Sequence, residues 1–170
     1  MVQDFIQQTD DRTRQLTRDL LRQIHHAVLS VIDEAHGYPY LARIACQADE
    51  DGIPLAFLSE IAVHTRLLES QPKAALLIEA PPGRGEAMAQ ARLSLQVVAR
   101  RLPDHGPAHA ARLASWLAHN PKSRAYAELP GFHFWRLEPH AGLLNAGFGQ
   151  AYRIGPGDIR TPPADHVRGR

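Results

Sequence analysis

The chain has 170 residues, 44% of them hydrophobic, which is enough for one domain with a real core and too little for two comfortable ones. Lys and Arg number 19 against 18 Asp and Glu, a formal charge of +1, so the positive field that a nucleic-acid backbone requires is missing and no nucleic-acid partner is expected. The single cysteine, Cys46, excludes an internal disulfide and fits a reducing, cytoplasmic setting. The N-terminus has no basic stretch ahead of an apolar run, and nowhere do roughly 18 apolar residues follow one another, so neither a signal peptide nor a membrane contact is expected.

In chain order, Leu16, Leu20, Leu21 and Ile24 recur at helical offsets, and Asp10 or Asp11 is placed to cap a helix over residues 10–26. Ala27 to Ile32 is apolar and β-branched, followed by turn chemistry at Asp33 to Gly37. Tyr40 to Gln47 and Pro54 to Ser59 read as the next two strands, with a tight turn at Asp49 to Gly52. Three strands joined by short turns form an antiparallel meander.

Ala62 to Gln71 changes to a helical period and is stopped by Pro72; Ala74 to Ile78 is a short buried strand. Pro81 to Gly85 is a loop. Arg92 to Arg101 alternates Leu93, Leu95 and Val97 with Ser94, Gln96 and Val98, as a long strand does. Ala108 to His119 reads as a helix with Leu113, Trp116 and Leu117 on one side, closed by Asn120-Pro121. Phe132 to Leu137 and Leu143 to Tyr152 are two further strands. From Gly155 the sequence is rich in Pro and Arg and lacks a core pattern, so the expected organisation is a domain over 1–154 and a flexible tail over 155–170. Short strands interrupted by small helices predict a mainly β barrel with small helices, not a layered α/β sheet.

Some residues carry chemistry on their own terms. Arg43 and Arg92 each interrupt an apolar strand, and a strand arginine must reach solvent, an ion pair or a ligand. His64, Thr65 and Arg66 stand at or near a helix N-terminus, where backbone N–H groups and the helix dipole favour an anion; solvent-facing positions on an ordinary helix are the alternative. His133 alternates outward from Phe132 and Phe134 and could support a ligand from behind.

The run Leu58-Ser59-Glu60-Ile61-Ala62-Val63-His64-Thr65-Arg66-Leu67-Leu68, followed by Pro72 to Ile78, resembles the strand, helix and strand that hold the cofactor phosphate in pyridoxamine 5'-phosphate oxidase-like, FMN-binding split barrels. The heme-utilization branch of that family is more similar still. His64-Thr65-Arg66, Ala91 to Leu95, His119-Asn120-Pro121 with Tyr126, Trp135-Arg136-Leu137-Glu138-Pro139 and Ala146-Gly147-Phe148-Gly149 follow its motifs in order from Ala27 to Tyr152. The resemblance implies a split barrel acting as a homodimer, with FMN or heme in grooves where the subunits meet. Ser59, Thr65 and Arg66 would hold the phosphate and ribityl chain of FMN, or cationic residues the propionates of heme. It also implies an oxidoreductase of the heme-degrading or the flavin-dependent type. His166, beside Asp165 in the tail, matches the C-terminal histidine that serves as an iron ligand in the heme branch; a solvated tail residue is the alternative. A cofactor-free dimeric binding module is the third reading.

Overall fold

The computed structural model describes residues 5–81, 83 and 86–161. The short strand β1 (Ile6–Gln8) leads into helix α1 (Asp11–Arg22). Strands β2 (His26–Asp33), β3 (Tyr38–Ala48) and β4 (Pro54–Ser59) form the meander; helix α2 (Val63–Ser70), strand β5 (Lys73–Glu79) and strand β6 (Arg92–Arg101) follow. Helix α3 (Gly106–His119), the long strand β7 (Phe132–Gly147), β8 (Gln150–Ile154) and the single-turn helix α4 (Pro156–Ile159) complete the described chain.

The strand order β7-β4-β3-β2-β5-β6 closes on itself because β6 pairs back onto β7, giving a six-stranded antiparallel barrel. β8 folds back on the far half of β7, and β1 joins β8 in parallel. Alternation sets the two faces: Leu93, Leu95, Val97 and Ala99 of β6 are buried in the barrel, while Ser94, Gln96 and Val98 face out. β4 is buried on both faces, which explains its unbroken apolar run. Ala56 and Leu58 enter the barrel core, whereas Leu55 and Phe57 join Trp116 and Phe134 in a second core under α3.

α1 starts at Asp10, whose carboxylate accepts the Thr13 N–H at 2.8 Å while the Thr13 hydroxyl accepts the Asp10 N–H. Its apolar face, Leu20 and Leu21, and Ile24 just beyond it enter the core. Because α1 touches β3, β5, β6 and β7, strands on different sides of the barrel, it lies across one mouth.

Two expectations change. The two final strands are one strand and a hairpin: β7 runs through Glu138 to Gly142, and a register shift opposite Gln96 and Val97 marks a bulge at Pro139-His140. Proline cannot donate to the ladder, and the bulge absorbs it, so one strand serves β4 with its first half and β8 with its second. Gly142 is required there, since a Cβ would lie 2.7 Å from Leu95 Cδ2 and 3.1 Å from the Ser94 carbonyl. Finally, the segment from Gly155 is packed, not free, as far as Thr161. Ile159 is 1% exposed within the barrel core, Asp158 pairs with Arg14 at 2.7 Å, and Thr161 donates its N–H to the Asp51 carbonyl.

Candidate cofactor site

β4 ends at Ser59, whose carbonyl accepts the Ala62 N–H at 3.1 Å and turns the chain into α2. The N-cap residue is Ala62, in extended backbone, and it offers no side-chain acceptor to the N–H groups of the first turn. Thr65, in that turn, is fully buried, and its hydroxyl has no hydrogen-bond partner. A buried hydroxyl left unpaired costs about 1–3 kcal/mol, so the turn combines unused donors with an unsatisfied polar group. His64 is half-buried, and that burial pushes its pKa below the ordinary histidine value, favouring neutral imidazole. Arg66 is exposed and has no carboxylate partner among the described residues. Ser59, His64, Thr65 and Arg66 thus lie along one strand-to-helix turn, the α2 corner.

The strand arginines lie elsewhere, on the outer face of the barrel. Arg43 falls in a cross-strand row with Val28, Leu77, Ser94 and Leu143. Arg92 faces out from β6 with β2 and β5 between it and Arg43, donates to the Met88 carbonyl at 3.0 Å, and lines a cleft of about 330 Å³ beside the end of α1. Beyond the Arg43 row, on the side away from Arg92, Ser30, Ile32, Ala75, Gln96 and Val98, with Lys73 and His140, line a shallow groove of about 470 Å³, and Leu41 next to it is 64% exposed.

His133 departs from its expected direction. It pairs with Leu58 and shares the side of β7 on which Trp135 and Leu137 enter the barrel, whereas Phe132 and Phe134 point outward beneath α3. At the barrel rim its Nδ1 lies 2.9 Å from Asp104 Oδ2 and 2.9 Å from Arg101 Nη2, and its Nε2 lies 3.3 Å from Glu60 Oε2. Burial raises the pKa of Asp104, but hydrogen bonds from Arg101 and His133 outweigh it and leave the carboxyl below its ordinary range. Both nitrogens of His133 are therefore engaged by protein groups. The cluster still bears on α2, because Glu60 directly precedes the Ile61-Ala62 turn.

Sequence reasoning missed Glu60, Arg101 and Asp104, whose meeting with His133 depends on contacts across 29 to 73 residues of chain. His166 lies outside the described residues. Arg136, read only as part of a strand motif, is held by Asp49 at 3.1 Å, Asp51 at 2.6 Å and Glu138 at 2.9 Å.

No family model matches the chain. Among curated proteins it is 31% identical over 123 residues to the chloroplastic non-canonical heme oxygenase HOZ of Arabidopsis thaliana, covering 72% of this chain and 36% of that protein. The chain thus spans about a third of the length of that relative. One solved structure superposes with a TM-score of 0.85 at 44% identity, covering 92% of this chain and 100% of its own. A heme binding protein from Mycobacterium smegmatis superposes with a TM-score of 0.78 at 22% identity over 89% of this chain and 61% of that one. A candidate pyridoxamine 5'-phosphate oxidase from Listeria innocua gives 0.60 at 14% identity over 79% and 99%, a likeness of fold alone. With its closed six-stranded antiparallel barrel, the chain has the pyridoxamine 5'-phosphate oxidase-like split-barrel fold, and heme proteins are among those it is similar to.

Proposed function

We propose that the chain binds a planar redox cofactor at the α2 corner, heme in the first reading and FMN in the second, and serves as an oxidoreductase of heme utilization. The observation that carries this is the buried, unpartnered hydroxyl of Thr65 in a helix turn that lacks a side-chain cap. Such a turn accepts an anionic group, a propionate of heme or the phosphate of FMN, through backbone N–H donors and the helix dipole. Arg66 supplies the charge, and Ser59 adds a hydroxyl at the strand end. Half-buried, neutral His64 flanks the group without repelling a cation. The bound cofactor supplies the redox chemistry, and the chain's own residues hold and orient it.

In one chain, Arg43 and Arg92 face away from this corner. A homodimer packed through the apolar outer face would bring them to the partner's groove. His166 is five residues past Thr161, a reach of at most about 17 Å. Thr161 is anchored on Asp51, at the opposite end of β4 from Ser59, a span of similar length. An iron ligand at His166 would have to be carried across this distance by the segment that follows Thr161. A cytoplasmic location fits the buried lone thiol.

Titrating purified protein with hemin and with FMN, followed by absorbance, tests the proposal. Arg66→Ala should weaken binding of the accepted cofactor roughly tenfold to a hundredfold, the value of one charge-assisted hydrogen bond. His166→Ala should shift the Soret band of the hemin complex and leave FMN binding untouched. Unchanged affinity in Arg66→Ala rejects the corner; no binding of either cofactor leaves the chain a cofactor-free binding module.

A further inference from the structure

We infer that the cleft between α3 and the outer face of β4 and β6 is a binding site for a small organic carboxylate, gripped by Arg112 and Arg100. The cleft holds about 370 Å³, within the range of small-molecule sites. It is separate from the α2 corner: Leu55, on its wall, stands four residues along β4 from Ser59, about 13 Å of strand. The inference does not depend on the proposed cofactor.

The charges in the cleft are unevenly matched. Arg136 is neutralised by Asp49, Asp51 and Glu138. Among the described residues Arg100 reaches only Glu138, at 3.8 Å, and that carboxylate already serves Arg136 and Arg160. Arg112 has no carboxylate partner among the described residues; its guanidinium lies 5.5 Å from the centre of the Phe134 ring and donates one long bond, 3.5 Å, to the Pro103 carbonyl. Arg112 is intermediate in exposure, and most of its five donors make no bond to protein among the described residues, so they are free to meet a ligand. Packing explains why it is held in place: α3 is pinned by Trp116 in the second core and by the Gln47–Ser115 hydrogen bond, 3.3 Å, at the base of the cleft. In that bond the Ser115 hydroxyl accepts, which leaves its own proton to donate.

The walls decide the class of ligand. Leu55, Leu102 and Ala111 are apolar, so an inorganic anion would leave them wet, whereas a carboxylate on a small apolar body fills the space and meets the planar guanidinium in a fork. Glu50, on the rim, makes no ion pair among the described residues and opposes any anion entering.

Titration of the full chain with sodium benzoate, followed by backbone amide NMR, tests the assignment, with benzyl alcohol as the neutral isostere and sodium phosphate as the anion without an apolar body. Benzoate should move signals of α3, β4 and the start of β7 at millimolar concentration, with benzyl alcohol and phosphate each at least roughly tenfold weaker. Arg112→Gln should weaken benzoate by roughly tenfold or more, and Glu50→Gln, an exposed change that leaves the core alone, should tighten it. No shift with benzoate, equal binding of benzyl alcohol, or weaker binding in Glu50→Gln would each overturn the assignment. Stronger binding of phosphate than of benzoate would overturn the ligand class.

Discussion

Arg14 on α1 and Asp158 on α4 form an ion pair of 2.7 Å that joins the two ends of the described chain, and Arg18 adds a bond of 3.1 Å to the Asp158 carbonyl. The next residue, Ile159, is buried in the barrel core. Removing a buried isoleucine side chain to Cβ costs about 2–5 kcal/mol, depending on how far the cavity collapses. Ile159→Ala should lower the urea midpoint accordingly, and truncation after Gly155 should lower it at least as much. A truncated chain with the melting temperature of the intact one would show that α4 contributes nothing.

The rim cluster around His133 makes a pH prediction. Asp104 has a pKa below its ordinary value of 3.8 in the folded protein, because Arg101 and His133 bond its charged form. A depressed carboxyl pKa means that the folded state favours the ionised group, so its stabilisation is present above the unfolded value and lost as pH falls through the folded one. Asp104→Asn should therefore destabilise at neutral pH, with the gap to wild type closing in acid below the ordinary carboxylate range. Urea midpoints of both proteins across that range check it; a gap that stays constant into strong acid assigns the effect to something other than ionisation.

Cys46 is fully buried, and desolvation pushes its thiol pKa up to about 12. Thiolate is the reactive form, so the folded protein should resist iodoacetamide at mildly alkaline pH and react fully once unfolded. Labelling in the native state at the rate of a free thiol would mean that β3 opens locally.

The barrel was legible wherever burial is one-sided or complete. β6 alternates and β4 is unbroken, and each pattern has one structural meaning. The errors share a cause, which is distance along the chain. Nothing near Pro139 signals that a strand continues through it, because the bulge exists only against β6. Ile159, a lone apolar residue among Gly, Pro and Arg, has no local pattern, and its burial comes from α1 and the β3–β4 turn. At the site, the residues of the α2 corner stand in one contiguous run, so the sequence itself places them next to one another. His133 was turned to the wrong side because Phe132 and Phe134, large and apolar, were taken to mark the barrel interior, when they fill the second core beneath α3.

The outer face of β2, β5 and β6 carries the last prediction. Ile32 is 42% exposed and Val98 43%, and both line the groove that Ala75 floors, while Leu41 in the adjoining row is 64% exposed. A sheet face that exposes apolar side chains in register loses little conformational entropy on association, since strand backbones are already fixed, and gains the hydrophobic term of the covered area. A stable interface covers about 1,200–2,000 Å² in total, which this face can supply if it packs against its own copy about a twofold axis. The chain should sediment as a dimer at micromolar concentration. Val98→Glu puts one charge per subunit on that face, opposite Lys73, and dimerisation would have to take this pair out of water, a cost that its own attraction repays incompletely. The side chain is half in solvent in a single chain, so the variant should fold with an unchanged circular dichroism spectrum and sediment as a monomer. A wild-type monomer at that concentration, or a Val98→Glu dimer as tight as wild type, would remove this face from the interface and with it the route by which Arg43 and Arg92 reach a partner's α2 corner.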